Sequence, residues 1–253
     1  MLELLRFTNL GRIPEVEHFV STRRGGVSTG PFASLNLSFT VGDSQTNVEE
    51  NRRRLAKALG NKLSDLIFPL RQLHGVGVWQ VRQAGEPAPK ADILVTQRPD
   101  IMLCVLSADC VPVLLYDPVK RVVAAVHAGR KGLLAGVIPA AVTYLKTHFD
   151  TEQKNLIAGL GPAIAAAHYD LAPIDVALVR QTFSQADQLL RPTRQGCATF
   201  DLWGAAEQQL LEVGVRQNSI EVMRHDTYVD PEHFFSARRE KPFGCIATGI
   251  MLR

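Results

Sequence analysis

Three residues carry side chains that bind soft or borderline metal ions and stand beside strand-like runs: His74, Cys110 and His127. One thiolate and two imidazoles suit Zn2+, and three protein ligands leave the fourth position open, as in catalytic rather than structural sites. A metal would hold the Cys110 sulfur deprotonated, and an open position supplies a nucleophile near neutral pH. The three are not gathered in a short motif such as CxxC or HExxH, so other readings stay open. Cys110 also reads as a buried apolar thiol and His127 as a capped strand end. Without a metal, a Cys110 thiolate beside the His127 imidazole is a competent nucleophile, as in a cysteine hydrolase.

Charged and polar side chains near these three could serve a reaction. Asp109 precedes Cys110 and reads either as an acid/base carboxylate or as a structural cap. Arg71 lies three residues before His74, and Arg238 stands in the run Phe234-Phe235-Ser236-Ala237-Arg238-Arg239. Arg23 and Arg24 open the Gly-rich loop 25–30, which reads as a solvated turn or as an anion-binding loop. Asn36, between two leucines, reads as a satisfied turn residue or as a ligand contact. Guanidinium groups match phosphate bidentately, so Arg23, Arg24, Arg71 and Arg238 are the candidate phosphate holders. Each of them also reads as an exposed cation.

The elements that must hold these groups are legible as apolar, β-branched runs. Residues 93–96, 101–106, 111–116 and 122–126 predict buried strands between turn signals. Cys110 and His127 stand at strand ends, and His74 stands in a loop before a strand over 76–81. Further strands are predicted over 18–22, 156–160, 220–223 and 245–251. Thr46-Asn47-Val48-Glu49 fits a capping box. It opens a helix to about Leu59 that Gly60 stops. Arg52, Arg53 and Arg54 crowd one turn and read as a wet face. Helices are also predicted over 132–149, where Pro139 implies a kink or a later start, over 173–183 and over 200–213. Strands and helices mix without strict alternation, which gives an α+β fold with mixed β-sheets flanked by helices. No linker or repeat divides the chain, so one domain over 1–253 is expected.

Composition bounds the function. The 253 residues are 46% hydrophobic, enough for an ample core. A net charge of +3 predicts neither a nucleic-acid partner nor a membrane surface. No apolar run reaches membrane-spanning length, and Glu3, Arg6 and Arg12 interrupt the N-terminal segment, unlike a secretory signal. A cytoplasmic protein is expected, with its four cysteines as thiols or ligands.

Several segments, in order, resemble the laccase-domain family, also called the multicopper polyphenol oxidase family. They include Arg24-Gly25-Gly26-Val27-Ser28, Ser34-Leu35-Asn36-Leu37, Val41-Gly42-Asp43, Asn51-Arg52, Arg71-Gln72-Leu73-His74-Gly75 and Ala91-Asp92. Ser107-Ala108-Asp109-Cys110-Val111-Pro112, His127-Ala128-Gly129, Gly161-Pro162-Ala163-Ile164, Asp201-Leu202 and Phe234-Phe235-Ser236 with Arg238-Arg239 complete them. The resemblance implies zinc ligands at His74, Cys110 and His127. It also implies phosphorolysis of adenosine, inosine, guanosine and methylthioadenosine, with adenosine deamination in addition. Purine nucleosides and phosphate would be the partners. The family's older name implies copper and phenol oxidation instead. A multicopper enzyme needs a further histidine-rich cluster, whereas His18, His148, His168, His225 and His233 form no HxH pair. The chain departs from the family pattern at Arg130-Lys131, where Trp-Arg is usual, at Asp226, at Ala237 and at Cys245.

Overall fold

A computed structural model describes residues 2–253. Two mixed sheets form its centre. The six-stranded sheet runs in the order Ile220–Val222, Ile157–Leu160, Val111–Asp117, Val122–Ala128, Ile93–Thr96, Val78–Gln80. The five-stranded sheet runs Leu4–Leu5, Val16–Ser21, Ile246–Leu252, Met102–Ser107, Leu66–Ile67. Parallel and antiparallel pairs occur in both. The fold is α+β with helix-flanked mixed sheets, as the sequence predicts.

The period-2 alternation of strands explains why the central runs are apolar throughout. Val111, Val113 and Leu115 face one way, with Val122, Ala124 and Val126, into a core shared with the helices Val137–Phe149 and Leu202–Glu212. Leu114 and Tyr116 face the other way, with Val123 and Ala125, onto Leu103, Val105 and Ile250 of the five-stranded sheet. That sheet's outer face packs Phe19, Met102, Cys104 and Met251 against Leu55 and Ala56 of the helix Gln45–Leu59. The result is four layers: helix, sheet, sheet, helices. A strand sandwiched between layers has no wet face, so its sequence shows no polar alternation.

Register puts chemistry at one end of the six-stranded sheet. His127 pairs with Pro112 across the Val111–Asp117/Val122–Ala128 hairpin. Val126 pairs with Ile93, so Asp92 lies beside His127. Cys110, Asp92, the His74 loop and His127 therefore meet at the same sheet end.

Some expectations change. The helix over 132–149 is two helices, Arg130–Leu134 and Val137–Phe149, broken at Gly136 with φ +79°. Pro139 then falls in the first turn of the second helix, where its missing N–H costs nothing. The capping box at Thr46 does not form. The helix starts at Gln45 after Ser44, whose side chain makes no capping bond and instead meets Thr46 Oγ1 at 2.8 Å. Arg52 is not on a wet face. It donates twice to the Leu37 carbonyl, at 2.9 and 2.8 Å, and lies over the Phe68 and Phe39 rings. The sequence does not predict the short strands Leu66–Ile67 and Pro69–Arg71, or the small sheet of Asp170–Leu171, Ala198–Phe200 and Leu190–Pro192.

Candidate metal centre

The site is built around one carboxylate. Asp92 is buried at the start of the strand Ile93–Thr96 and accepts four hydrogen bonds. Leu73 and Gly75 N–H donate to Oδ2 at 3.1 and 2.9 Å, and His74 N–H donates to Oδ1 at 2.9 Å. His127 Nδ1 lies 2.9 Å from Oδ1. Three successive N–H groups on one carboxylate fix the loop and hold His74 at φ +59°, which few non-glycine residues adopt. The carboxylate makes Nδ1 of His127 the donor, so Nε2 is the ring atom left to ligate. Burial opposes the charge on Asp92, but the bonds from His127 and the Gly75 and Leu73 N–H groups hold its carboxyl below the ordinary value.

The ligating atoms of His74, Cys110 and His127 all lie within 4.8 Å of one another. The two imidazole rings meet edge-on, with centroids 4.7 Å apart. Burial alone would raise the Cys110 thiol, but His127 and His74 draw it below its usual value. Burial alone would lower His127, but Cys110 and Asp92 raise it. The metal-free pair is therefore a Cys110 thiolate beside a His127 imidazolium; a metal takes the thiolate as it stands and displaces the proton from His127. Gly129 makes the approach of the ligands sterically feasible. A Cβ there would lie 2.7 Å from Cys110 Sγ and 2.8 Å from His74 Cδ2. A soft anion and two imidazoles, one of them oriented by the Asp92 carboxylate, fit a metal ion of the zinc or copper kind. Among the described residues no other group of three or more His, Cys, Asp or Glu side chains has this geometry.

These residues open into a cavity of about 980 Å3. Its polar wall holds Arg71, Arg238 and Lys241, together with Asp109 and Tyr169. Its apolar wall holds Phe39, Leu66, Phe68 and Leu70, with Arg52 between the two rings. Arg238 is steadied from two sides. Its guanidinium lies 4.6 Å from the Tyr169 ring centroid, and its backbone N–H donates to Asp109 Oδ2 at 2.7 Å. Thr227 Oγ1 donates to the other oxygen of Asp109 at 2.6 Å. Asp109 thus braces two loops beside Cys110 while lining the cavity.

The other sequence candidates are placed elsewhere. Arg24 pairs with Glu232 and Glu3 outside the cavity wall. Arg23 donates to the Ala33 and Pro231 carbonyls and lies over Phe235. Asn36 is fully buried. Its amide donates to Ser38 O and Asp43 Oδ2, and its oxygen accepts from Ser38 and Cys245 N–H. The structure gives Asn36 a loop-holding position off the cavity wall. Arg130 turns to Asp175, and neither it nor Lys131 lines the cavity, whereas Ala237 and Cys245 do. Sequence reasoning missed the bracing by Asp92 and the presence of Lys241 and Arg52 on the wall. The signal for Asp92 was a carboxylate set directly against a fully apolar strand.

The family model for multi-copper polyphenol oxidoreductase laccase matches residues 17–253. The chain belongs to this family. A protein of Bacteroides thetaiotaomicron named purine nucleoside phosphorylase is 31% identical over 260 residues, covering 98% of this chain and 96% of that protein. Purine nucleoside phosphorylase YfiH of Shigella flexneri is 38% identical over 245 residues, covering 92% of each. The crystal structure of YlmD from Geobacillus stearothermophilus is similar with a TM-score of 0.93 and 30% identity, covering 99% of this chain and 96% of that one. Among the described residues no helix is long and apolar enough to cross a membrane.

Proposed function

We propose that the chain is a zinc-dependent purine nucleoside phosphorylase that accepts adenosine, inosine, guanosine and methylthioadenosine and also deaminates adenosine. The observation that carries this reading is the His74–Cys110–His127 cluster, braced by Asp92, at a cavity wall that also bears Arg71, Arg238 and Lys241. The names of the relatives support the substrate class. Zinc, when bound, supplies a Lewis acid and an open coordination position at the cavity wall.

The chain's own groups account for the rest. Phosphorolysis breaks the N-glycosidic bond, forms a bond from phosphate oxygen to the ribose carbon, and releases the base with a proton. Arg71 and Arg238 present planar guanidiniums for bidentate contact with phosphate, and Lys241 adds a third cation. Asp109 positions Arg238 through the backbone, and its place beside Cys110 also suits it to proton transfer. The apolar wall of Phe39, Phe68 and Leu70 receives the flat base and excludes water.

Zinc is preferred to copper on the donor set. A blue-copper centre adds an axial methionine or, less often, a glutamine; no methionine lines this cavity, and Gln72, which does, spends its amide on the Leu106 carbonyl and N–H, both at 2.7 Å. The metal-free Cys110–His127 hydrolase would use the same atoms that a metal occupies. A cytoplasmic setting accords with four free cysteines.

The reading is tested with metal-quantified protein and each nucleoside, with and without phosphate. Free base that appears only with phosphate, and inosine formed from adenosine, are expected. Turnover of a phenol by the copper-loaded protein alone, or ester hydrolysis by the metal-free protein, would replace the reading.

A further inference from the structure

A second concave site lies at the opposite end of the six-stranded sheet from the metal centre. His127 and Arg121 are six residues apart along the strand Val122–Ala128 and its lead-in, about 20 Å at ~3.3 Å per residue. At the Arg121 end, three neighbouring strands deliver side chains to one place. Gln80 and Arg82 come from the end of Val78–Gln80, Gln97 and Arg98 follow Ile93–Thr96, and Lys120 and Arg121 precede Val122–Ala128. Together they line a hollow of about 520 Å3 that contains no carboxylate among its lining residues.

Four cations converge there. Arg82, Arg98 and Lys120 make no ion pair among the described residues. Glu152 feels Lys120 but is itself paired with Lys154. Like charges gathered within one Debye length repel, and an anion relieves that repulsion. The hollow is also organised. Gln97 Nε2 donates to the Lys120 carbonyl at 2.8 Å, joining two of its rims. Arg121 Nη2 is already engaged by the main-chain oxygen of Arg253, the last residue of the sequence, at 3.0 Å, which fixes that guanidinium at the rim and leaves Arg82, Arg98 and Lys120 as the unpaired cations. Gln80 Oε1 accepts from the Tyr144 hydroxyl at 3.4 Å, leaving its amide hydrogens as donors.

We propose that this hollow binds a compact polyphosphate group, the linked phosphates of a nucleoside triphosphate or of inorganic tripolyphosphate. Three guanidiniums and one ammonium match several adjacent phosphate oxygens, with Arg as the bidentate partner. The volume falls in the range of small-molecule sites rather than that of an extended nucleic-acid track. The site is separate from the metal cavity and does not rest on the nucleoside reading.

Calorimetric titration of the full, metal-quantified protein with tripolyphosphate, at fixed ionic strength, tests this. Binding is expected to weaken at least about tenfold in an Arg82→Ala/Arg98→Ala double variant. It is expected to persist in Arg71→Ala/Arg238→Ala, with metal content unchanged before and after titration. A parallel titration with ATP separates the sources. Equal affinity assigns the phosphate chain alone, and tighter binding assigns nucleoside contacts in addition. No measurable binding overturns the proposal. So does binding that ignores Arg82→Ala/Arg98→Ala or is lost in Arg71→Ala/Arg238→Ala. Equal melting temperatures of the variants exclude misfolding as the cause, because Arg82 and Arg98 are exposed. Lys120→Ala provides an independent second variant with the same expected loss.

Discussion

Asp92 does more for the metal centre than any residue apart from the ligating side chains. Its two oxygens hold both histidine-bearing elements, so one neutral substitution acts on both. Asp92→Asn keeps the shape but turns one acceptor into a donor that faces N–H groups. Metal affinity is expected to fall about 10- to 100-fold, read by competition with a chelator. Gly129→Ala should do the same by another route, because its Cβ would press on Cys110 Sγ and His74 Cδ2. Protein that folds normally but purifies with little metal is the expected result. His18 gives a pH prediction unconnected with the metal. Burial pushes it down to about 4, and its Nε2 accepts from Phe7 N–H at 2.8 Å, so it is neutral when folded. Below about pH 6.5 the unfolded chain takes up a proton that the folded chain refuses until about pH 4. Stability should therefore fall as pH drops through that window, by at most about 3 kcal/mol. Urea midpoints of the wild type and His18→Gln, compared between pH 7 and 4, would show the difference.

At the scale of elements, the four central strands were legible because burial on both faces demands unbroken apolar runs. His74, Cys110 and His127 were legible as candidates through the family resemblance, since residue type alone offers seven histidines and four cysteines. Their meeting was not, because it depends on the Val126–Ile93 register and on a loop folded over Asp92. The strands Pro69–Arg71 and Leu190–Pro192 were not legible either. Three residues are too few to show a period, and their pairing is decided by distant chain. Arg52 illustrates a different failure. Three arginines in one turn look solvated, yet the helix Gln45–Leu59 turns one of them inward over Phe39 and Phe68. Burial lowers its guanidinium to about 10. Arg52→Leu would leave the Leu37 carbonyl without its two donors. A loss of about 1–3 kcal/mol in urea unfolding is expected, whereas Arg53→Leu, on the exposed side, should change little.

At the scale of the whole molecule, the six-stranded sheet separates two kinds of chemistry at its two ends. One end gathers a thiolate, two imidazoles and a bracing carboxylate under a cavity with cationic and apolar walls. The departures from the family pattern divide in the same spatial terms. Arg130 is engaged with Asp175 away from the cavity, while Ala237 and Cys245 face into it. Substrate preference should therefore follow Ala237 and Cys245 rather than Arg130-Lys131. In the proposed function the cluster holds one zinc ion that is needed for phosphorolysis. The direct measurement is stepwise zinc reconstitution of metal-depleted protein, following adenine and ribose 1-phosphate released from adenosine and phosphate. Equal amounts of the two products are expected, rising linearly until one zinc is bound per chain, and none from Cys110→Ser. Full activity in the metal-depleted protein, or no phosphate-dependent adenine release from the zinc-loaded protein, would contradict it.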